Sequence, residues 1–444
     1  MKRSISQMKR LVVGSFVALA VSMSLSSCKK DTSNVTNEEV AKKVKIDHLS
    51  PEMETVRDLV DKNIVIAHRG STFWVPEETE AAFRWARNIG ADYLEIDLQR
   101  TKEVKDKNGN VVEPSVLLAL HDNNLKRTTD IEVKFPGREE EPVSSFTWSE
   151  LSTLDAGSWF NYANPENQRG SFVNQRISTL EDVIMIAKGY KIKRYLNDDP
   201  KGNYKAGDRI MSIITDTDGV KRYKFEYELD PQDNQNRPGV YVETKEPWLF
   251  PNMERDLCKE LKRLGWYADD FNDLENVLTF KGKVEIANTN ARIILQTFSK
   301  NSLVNLQKEF KNPIPTCLLL WKGPSDMPND DPQTYAEWIN YGIKYGATII
   351  GPSIGGAPNN YYDLLQPWMA DMVREAGMLV HAYSFDTRIQ MDKYTGKYYL
   401  NRPSLTDGMF TNKAGTTLDY FAAEGARPNG ASANAEVVLN NLGY

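Results

Sequence analysis

Only four histidines occur in the 444 residues of this chain, and two of them close short apolar runs. The runs are Ile64-Val-Ile-Ala-His68-Arg69-Gly70 and Val116-Leu-Leu-Ala-Leu-His121-Asp122, with Tyr93-Leu-Glu95-Ile-Asp97-Leu98 between them. Residues i and i+2 of a strand share a face, so Glu95 and Asp97 point together. On a buried face two carboxylates cannot be left unpaired, and a hard divalent cation with oxygen ligands is the simplest partner. A third carboxylate comes from Tyr241-Val-Glu243-Thr-Lys245, which puts Lys245 on the face of Glu243. Arg69 suits bidentate phosphate binding, and Lys245 supplies a point charge. Phosphoryl transfer needs this combination: cations to neutralise non-bridging oxygens, a base for the nucleophile and an acid for the leaving oxygen. His68 and His121 can take the last two roles, because imidazole titrates near neutral pH. No serine or cysteine nucleophile motif is present, so nothing supports a covalent serine mechanism.

These residues need a scaffold that gathers strand ends. Further apolar runs lie at 240–244, 292–296, 316–321, 347–351, 379–383 and 408–411. Helical patterns separate them at 80–88, 180–189, 252–264, 301–310, 333–345, 362–376 and 414–424. The count is about nine candidate strands, close to eight β/α units, and the alternation predicts a parallel α/β architecture. No Gly-x-Gly-x-x-Gly turn follows the first strand, so a closed TIM (β/α)8 barrel is favoured over a doubly wound sheet. Its chemistry would sit at the carboxyl ends of the strands, where His68 and His121 fall. Two segments break the rhythm, at 123–175 and 191–238, and both are expected to emerge at that same face. Their Asp-rich stretches match no twelve-residue calcium loop and read as solvated turns.

Composition narrows the class. A charge of −6, with 40% apolar and 26% charged residues, describes a globular chain and gives no support for a nucleic-acid partner. Lys2, Arg3, Lys9 and Arg10 precede an apolar stretch, 11–25, too short for a comfortable membrane span. It ends in Leu25-Ser26-Ser27-Cys28, which resembles the lipobox of bacterial lipoproteins. The resemblance implies a signal peptide over 1–27, lipidation of Cys28 and a membrane-anchored location outside the cytoplasm. Residues 28–55 read as a tether, 56–425 as the barrel domain and 426–444 as a flexible tail. Cys258 and Cys317 read as small core hydrophobes.

A wider likeness runs through the body of the chain. His68-Arg-Gly70, Pro76-Glu77-Glu78-Thr79, Gly90-Ala-Asp-Tyr-Leu-Glu95-Ile-Asp97, Thr101-Lys102 and His121-Asp122 through Arg127-Thr-Thr-Asp130 closely resemble the glycerophosphodiester phosphodiesterases. Val242-Glu243-Thr-Lys245-Glu-Pro-Trp248, Leu295-Gln296-Thr-Phe298 and Asp407-Gly-Met-Phe-Thr411 extend the match over about residues 62–424, nearest to the periplasmic calcium-dependent branch. The resemblance implies a TIM barrel that hydrolyses glycerophosphodiesters to glycerol 3-phosphate and an alcohol. It implies His68 and His121 as acid/base partners, and Glu95, Asp97 and Glu243 as ligands for calcium, with magnesium the alternative. Arg69 and Lys245 fall on the phosphate-binding positions. The glycerol 2-hydroxyl would attack phosphorus, and water would open the resulting cyclic phosphate.

The chain departs from the family pattern at Glu78 (usually Asn), at Thr297 and Ser299 of Gln296-Thr-Phe-Ser299, and at Asn412 (usually Asp). The strand that often carries a site tryptophan reads His381-Ala-Tyr383-Ser, with His381 a lining or core residue. None of these removes a catalytic residue, but they and the 191–238 segment bear on substrate choice. Two alternatives follow. One is a phosphodiesterase for a lysophospholipid or a phosphodiester-substituted glycan, for which Trp148, Trp159 and Phe160 could line a larger site or simply pack a cap. The other is a surface lipoprotein that binds phosphodiesters without turnover.

Overall fold

In the computed structural model, residues 36–277, 291–323, 330–399 and 402–444 are described, and the leader with Cys28 lies outside them. Eight strands run in chain order: β1 Ile64–Ala67, β2 Tyr93–Arg100, β3 Gly239–Thr244, β4 Ile293–Thr297, β5 Thr316–Leu320, β6 Ile349–Pro352, β7 Leu379–Ala382 and β8 Gly408–Thr411. Each pairs in parallel with the next, and β8 pairs with β1 to close the barrel. Eight helices follow them: α1 Glu80–Ile89, α2 Leu180–Ala187, α3 Met253–Arg263, α4 Lys300–Glu309, α5 Pro332–Lys344, α6 Pro367–Glu375, α7 Arg388–Tyr394 and α8 Ala414–Ala423. This is the TIM barrel that the alternation predicts.

Period two divides each strand between two cores. Val65 and Ala67 pack outward with the helices, whereas Ile64 and Ile66 pack inward with Tyr93, Tyr241, Ile294, Cys317 and Phe410. The inward file of β2 continues from Tyr93 to Glu95 and Asp97, so the interior is apolar at one end and acidic at the other. Cys258 and Cys317 are buried and unpaired. Several helices start at a hydroxyl cap: Thr79, Thr179, Ser299 and Thr387 each accept from a backbone N–H in the first turn. α6 begins five residues later than its periodicity suggests, because Pro367 fixes the first helical position and disfavours helix before it.

Four expectations change. The Val116–His121 run is not a barrel strand: Leu117–Ala119 pairs antiparallel with the end of β2 (Leu98 with Ala119), so His121 reaches the site from a strand folded back over the barrel. The 191–238 segment leaves between α2 and β3, at the amino end of the strands, not at the face that carries the site. It climbs the outside of the barrel, with Arg194 bonded to Glu80 and Arg209 to Asp182. The tether is shorter than 28–55. Asn37–Ala41 and Pro51–Arg57 are helical, and the chain between them bonds to the helix layer through Asp47 N to Asn340 Oδ1 at 2.8 Å and Leu49 N to Ala376 O at 3.0 Å. Finally, the tail is folded. Ala435–Leu442 is a helix, and Tyr444 donates no fraying end: its hydroxyl accepts from Arg84 at 2.9 Å and its carbonyl from Arg169 at 2.7 Å.

Candidate active site

β1 ends in a tight turn. Arg69 takes left-handed backbone angles (φ 52°, ψ 34°), and Gly70 follows at φ 81° with Ala82 so close that a Cβ would stand 2.5 Å from its methyl. Glycine is required there by both conformation and space. The turn aims His68 and Arg69 across the barrel mouth, and the Arg69 N–H donates to Glu95 Oε2 at 2.8 Å.

Parallel register aligns the acids. Tyr241 lies beside Glu95 and Glu243 beside Asp97, and Gln296 lies beside Glu243 on the next strand. Glu95, Asp97 and Glu243 are buried, with one carboxylate oxygen of each within 4.8 Å of the others. Gln296 Nε2 donates to Glu95 Oε1 at 2.8 Å. Arg69 Nε stands 3.0 Å from Asp97 Oδ2, and Lys245 Nζ lies 3.3 Å from Glu243 Oε1 and 3.7 Å from Asp97 Oδ1.

Burial pushes the carboxyl of Glu95 well above its ordinary range, and the charges of Asp97 and Glu243 add to it. Burial likewise pushes Glu243 up to about 7, although Lys245 opposes it. Asp97 is the exception: burial alone would raise it, but the charges of Lys245 and Arg69 hold it below the usual carboxylate range. Glu78, the extra acid, accepts from the Asp97 N–H at 2.9 Å, and burial with the neighbouring Asp97 and Glu95 raises it well above its ordinary value. The excess negative charge is what a divalent cation would neutralise, and the all-oxygen donor set suits calcium or magnesium.

The two histidines are held differently. His68 Nδ1 is 2.8 Å from Asn412 Oδ1, and Asn412 Nδ2 donates to Asp386 Oδ2 at 3.1 Å. That chain orients the amide oxygen toward His68, so Nδ1 carries the proton and Nε2 is left for a ligand. Desolvation, with the Arg69 guanidinium adjacent, pushes His68 down to about 3, which keeps the ring neutral. His121 Nδ1 instead lies 2.6 Å from Asp122 Oδ1. Arg127 clamps that carboxylate, donating from Nε to Asp122 Oδ2 at 2.6 Å and from Nη2 to Glu77 Oε1 at 2.6 Å. Against desolvation, the bonds from His121 and Arg127 hold Asp122 below its usual range.

All seven predicted site residues at the mouth, His68, Arg69, Glu95, Asp97, His121, Glu243 and Lys245, line one cavity of about 710 Å³. His381 does not join them: it is buried in the barrel, 3.1 Å from the Tyr241 hydroxyl. Trp148 and Phe160 are buried in the cap, and Trp159 packs under Arg127, so the aromatic residues singled out from the sequence do not line the cavity. Sequence reasoning gave no role to Asn412, Asp122, Arg127 or Gln296. Asn412 follows β8, Asp122 follows His121, and Gln296 lies on an inward file, so position rules of the kind that found His68 also reach them, whereas Arg127, six residues beyond His121, carries no such signal.

Charged groups that can grip a phosphate, three carboxylates that can hold a cation and two oriented imidazoles define a site for cleaving phosphate esters. Residues 68–210 match the model of the glycerophosphoryl diester phosphodiesterase family. A glycerophosphodiester phosphodiesterase of Bacillus subtilis (strain 168) is 26% identical over 340 residues, which cover 75% of this chain and 80% of that one. Another, from Caldanaerobacter subterraneus subsp. tengcongensis, is 37% identical over 123 residues, 28% of this chain and 40% of its own. A solved structure from Silicibacter pomeroyi DSS-3, described as a candidate glycerophosphoryl diester phosphodiesterase, shares the fold with a TM-score of 0.50 at 15% identity, covering 84% of this chain and 98% of that one. The stretch that matches this family model, 68–210, holds His68, Arg69, Glu95, Asp97 and His121, and the similarity supports a phosphoric diester hydrolase.

Proposed function

We propose that the protein hydrolyses glycerophosphodiesters to glycerol 3-phosphate and an alcohol, in a metal-dependent reaction with His68 and His121 as base and acid. The observation that supports it best is the buried Glu95–Asp97–Glu243 cluster in one cavity with both histidines. A divalent cation held by these three carboxylates supplies positive charge for the non-bridging phosphate oxygens. Arg69 and Lys245 bind the same group from the protein side. His68, neutral and with Nε2 available, takes the proton of the glycerol 2-hydroxyl as that oxygen attacks phosphorus. His121, oriented by Asp122 at Nδ1, gives a proton from Nε2 to the departing alcohol oxygen. Water then opens the cyclic phosphate with the roles reversed: His121 takes the water proton, and His68 returns a proton to the 2-oxygen.

The test is turnover of a panel of glycerophosphodiesters by the purified chain, with calcium or magnesium and with chelator. Release of glycerol 3-phosphate that chelator abolishes and metal restores is the expected result. No metal-dependent turnover of any diester would leave the binding-only alternative standing. We also propose that Cys28 carries a lipid anchor that holds the protein outside the cytoplasm. The small residues before it and the charged segment after it support that reading.

A further inference from the structure

The cavity has two unlike walls. One is charged, built around His121, Asp122 and Arg127. The other is aromatic, built from Phe298, Trp321, Tyr361, Tyr362 and Tyr383. It begins beside the phosphate-binding cations, since Lys245 Nζ lies 5.7 Å from the Phe298 ring centre. From there it is continuous: Phe298 meets Tyr383 edge-on at 5.9 Å, and Tyr361 packs on Tyr383 at 5.9 Å. Trp321, Tyr361 and Tyr362 remain 43%, 43% and 41% exposed, so much of their area is withheld from the core and faces the concave site. Tyr362 is fixed in place, its hydroxyl donating to Asp330 at 2.5 Å and Lys322 Nζ lying 3.9 Å over its ring. The phosphoryl chemistry uses none of these rings.

We propose that this wall binds the leaving alcohol of the diester, and that the alcohol is a neutral sugar. The inference rests on the hydrolytic reading above. Phosphate held by Arg69 and Lys245 leaves its ester oxygen in the one cavity that His121 shares with Phe298 and Tyr383, and the rest of the alcohol then meets Tyr361, Tyr362 and Trp321. Three classes of alcohol compete. A quaternary ammonium would favour aromatic faces, but Lys245 and Lys322 already lie over Phe298 and Tyr362 and would repel it. An acyl chain would favour aliphatic side chains, yet Leu319 and Pro247 are the only aliphatic residues among the described lining. A pyranose presents an apolar C–H face for a ring to cover and a hydroxyl edge for phenolic and hydroxyl groups to bond. The tyrosines and tryptophan, with Ser299, whose hydroxyl accepts from the Ser302 N–H and can still donate, match that mixture. On cleavage the sugar oxygen leaves phosphorus with its bonding pair and takes the proton from His121.

The experiment compares kcat/KM for three substrates of the metal-loaded full chain: glycerol 3-phosphate esterified to the 6-oxygen of glucose, glycerophosphocholine, and lysophosphatidylglycerol, whose headgroup glycerol can attack while its acylglycerol leaves. The glucose diester is expected to be at least tenfold better than either. In the Trp321→Ala/Tyr361→Ala chain that advantage should collapse toward parity, chiefly through a higher KM for the glucose diester, and Trp321→Phe should restore part of it. Turnover of all three without preference, preference for the choline or acyl substrate, or equal losses on every substrate in the double variant would each overturn the inference alone. No turnover of any diester would overturn the hydrolytic reading and this inference with it. A melting curve for each variant separates loss of the subsite from loss of the fold.

Discussion

Acids that burial keeps from ionising are the residue-scale signature of this site, and they make the stability of the chain depend on pH and metal together. Burial pushes Glu243 up to about 7 in the folded chain and raises Glu95 as well, whereas both return to about 4.3 when unfolded. Between those values the folded chain binds more protons than the unfolded one, so stability falls as pH rises through that window. Asp97 runs the other way, since its folded value is depressed. Its contribution is already complete above the ordinary carboxylate range and is lost only in stronger acid, so it leaves the window unchanged. A cation that holds the ionised carboxylates offsets the loss and binds more tightly as pH rises. The metal-free protein should therefore melt lower at pH 7.5 than at pH 5. Calcium or magnesium should raise the melting temperature more at pH 7.5, by about 2 °C or more, the scale of roughly 1 kcal/mol in a large domain. Glu243→Gln should reduce both effects, with the share due to Glu95 kept by its burial beside Asp97. Equal gains at the two pH values in differential scanning calorimetry would refute the linkage.

At the scale of elements, period two carried most of what the sequence could say. It put Glu95 with Asp97 and Glu243 with Lys245 on shared faces, and the strands deliver them together. It could not say which runs pair in parallel: Leu117–Ala119 has the apolar content of a barrel strand but lies antiparallel on β2, and only pairing partners distinguish the two. The face of the 191–238 segment was legible and misjudged: it follows the helical pattern at 180–189 and precedes the run at 240–244, and a helix-to-strand connection lies at the amino ends of the strands. That segment is an external brace. Its Arg209 forms a two-pronged bond with buried Asp182, Nη1 to Oδ2 at 2.9 Å and Nη2 to Oδ1 at 2.8 Å, and stacks 3.9 Å over Phe225. Removing one partner of a buried pair leaves an uncompensated charge, which costs about 3–5 kcal/mol. Arg209→Ala should lose stability on that scale in denaturant melts. KM for any diester should stay within twofold, because no residue of 191–238 lines the cavity. A changed KM with an unchanged melt would show that the segment belongs to the site.

For the whole molecule, the described part from Asn37 onward is one compact unit, and every residue that lines the cavity lies between His68 and Phe410. Catalysis and attachment are thus assigned to different stretches of chain. The proposed anchor depends on one atom, the Cys28 thiol. Among the described residues no helix is long and apolar enough to cross a membrane. Each buried methylene of an acyl chain contributes about 0.8 kcal/mol, so two or more chains on one residue hold a protein stably at a bilayer. A serine at that position offers no thiol for the first chain. In cells, the native protein should sediment with membranes and partition into detergent, and Cys28→Ser should shift most of it away from both. The two forms, purified and supplied with metal, should turn over a soluble diester with kcat/KM values within twofold of each other, since the substitution touches nothing that builds the cavity. Retention of the Cys28→Ser protein at the membrane would refute the anchor, and it would leave the site chemistry where Glu95, Asp97 and the two histidines put it.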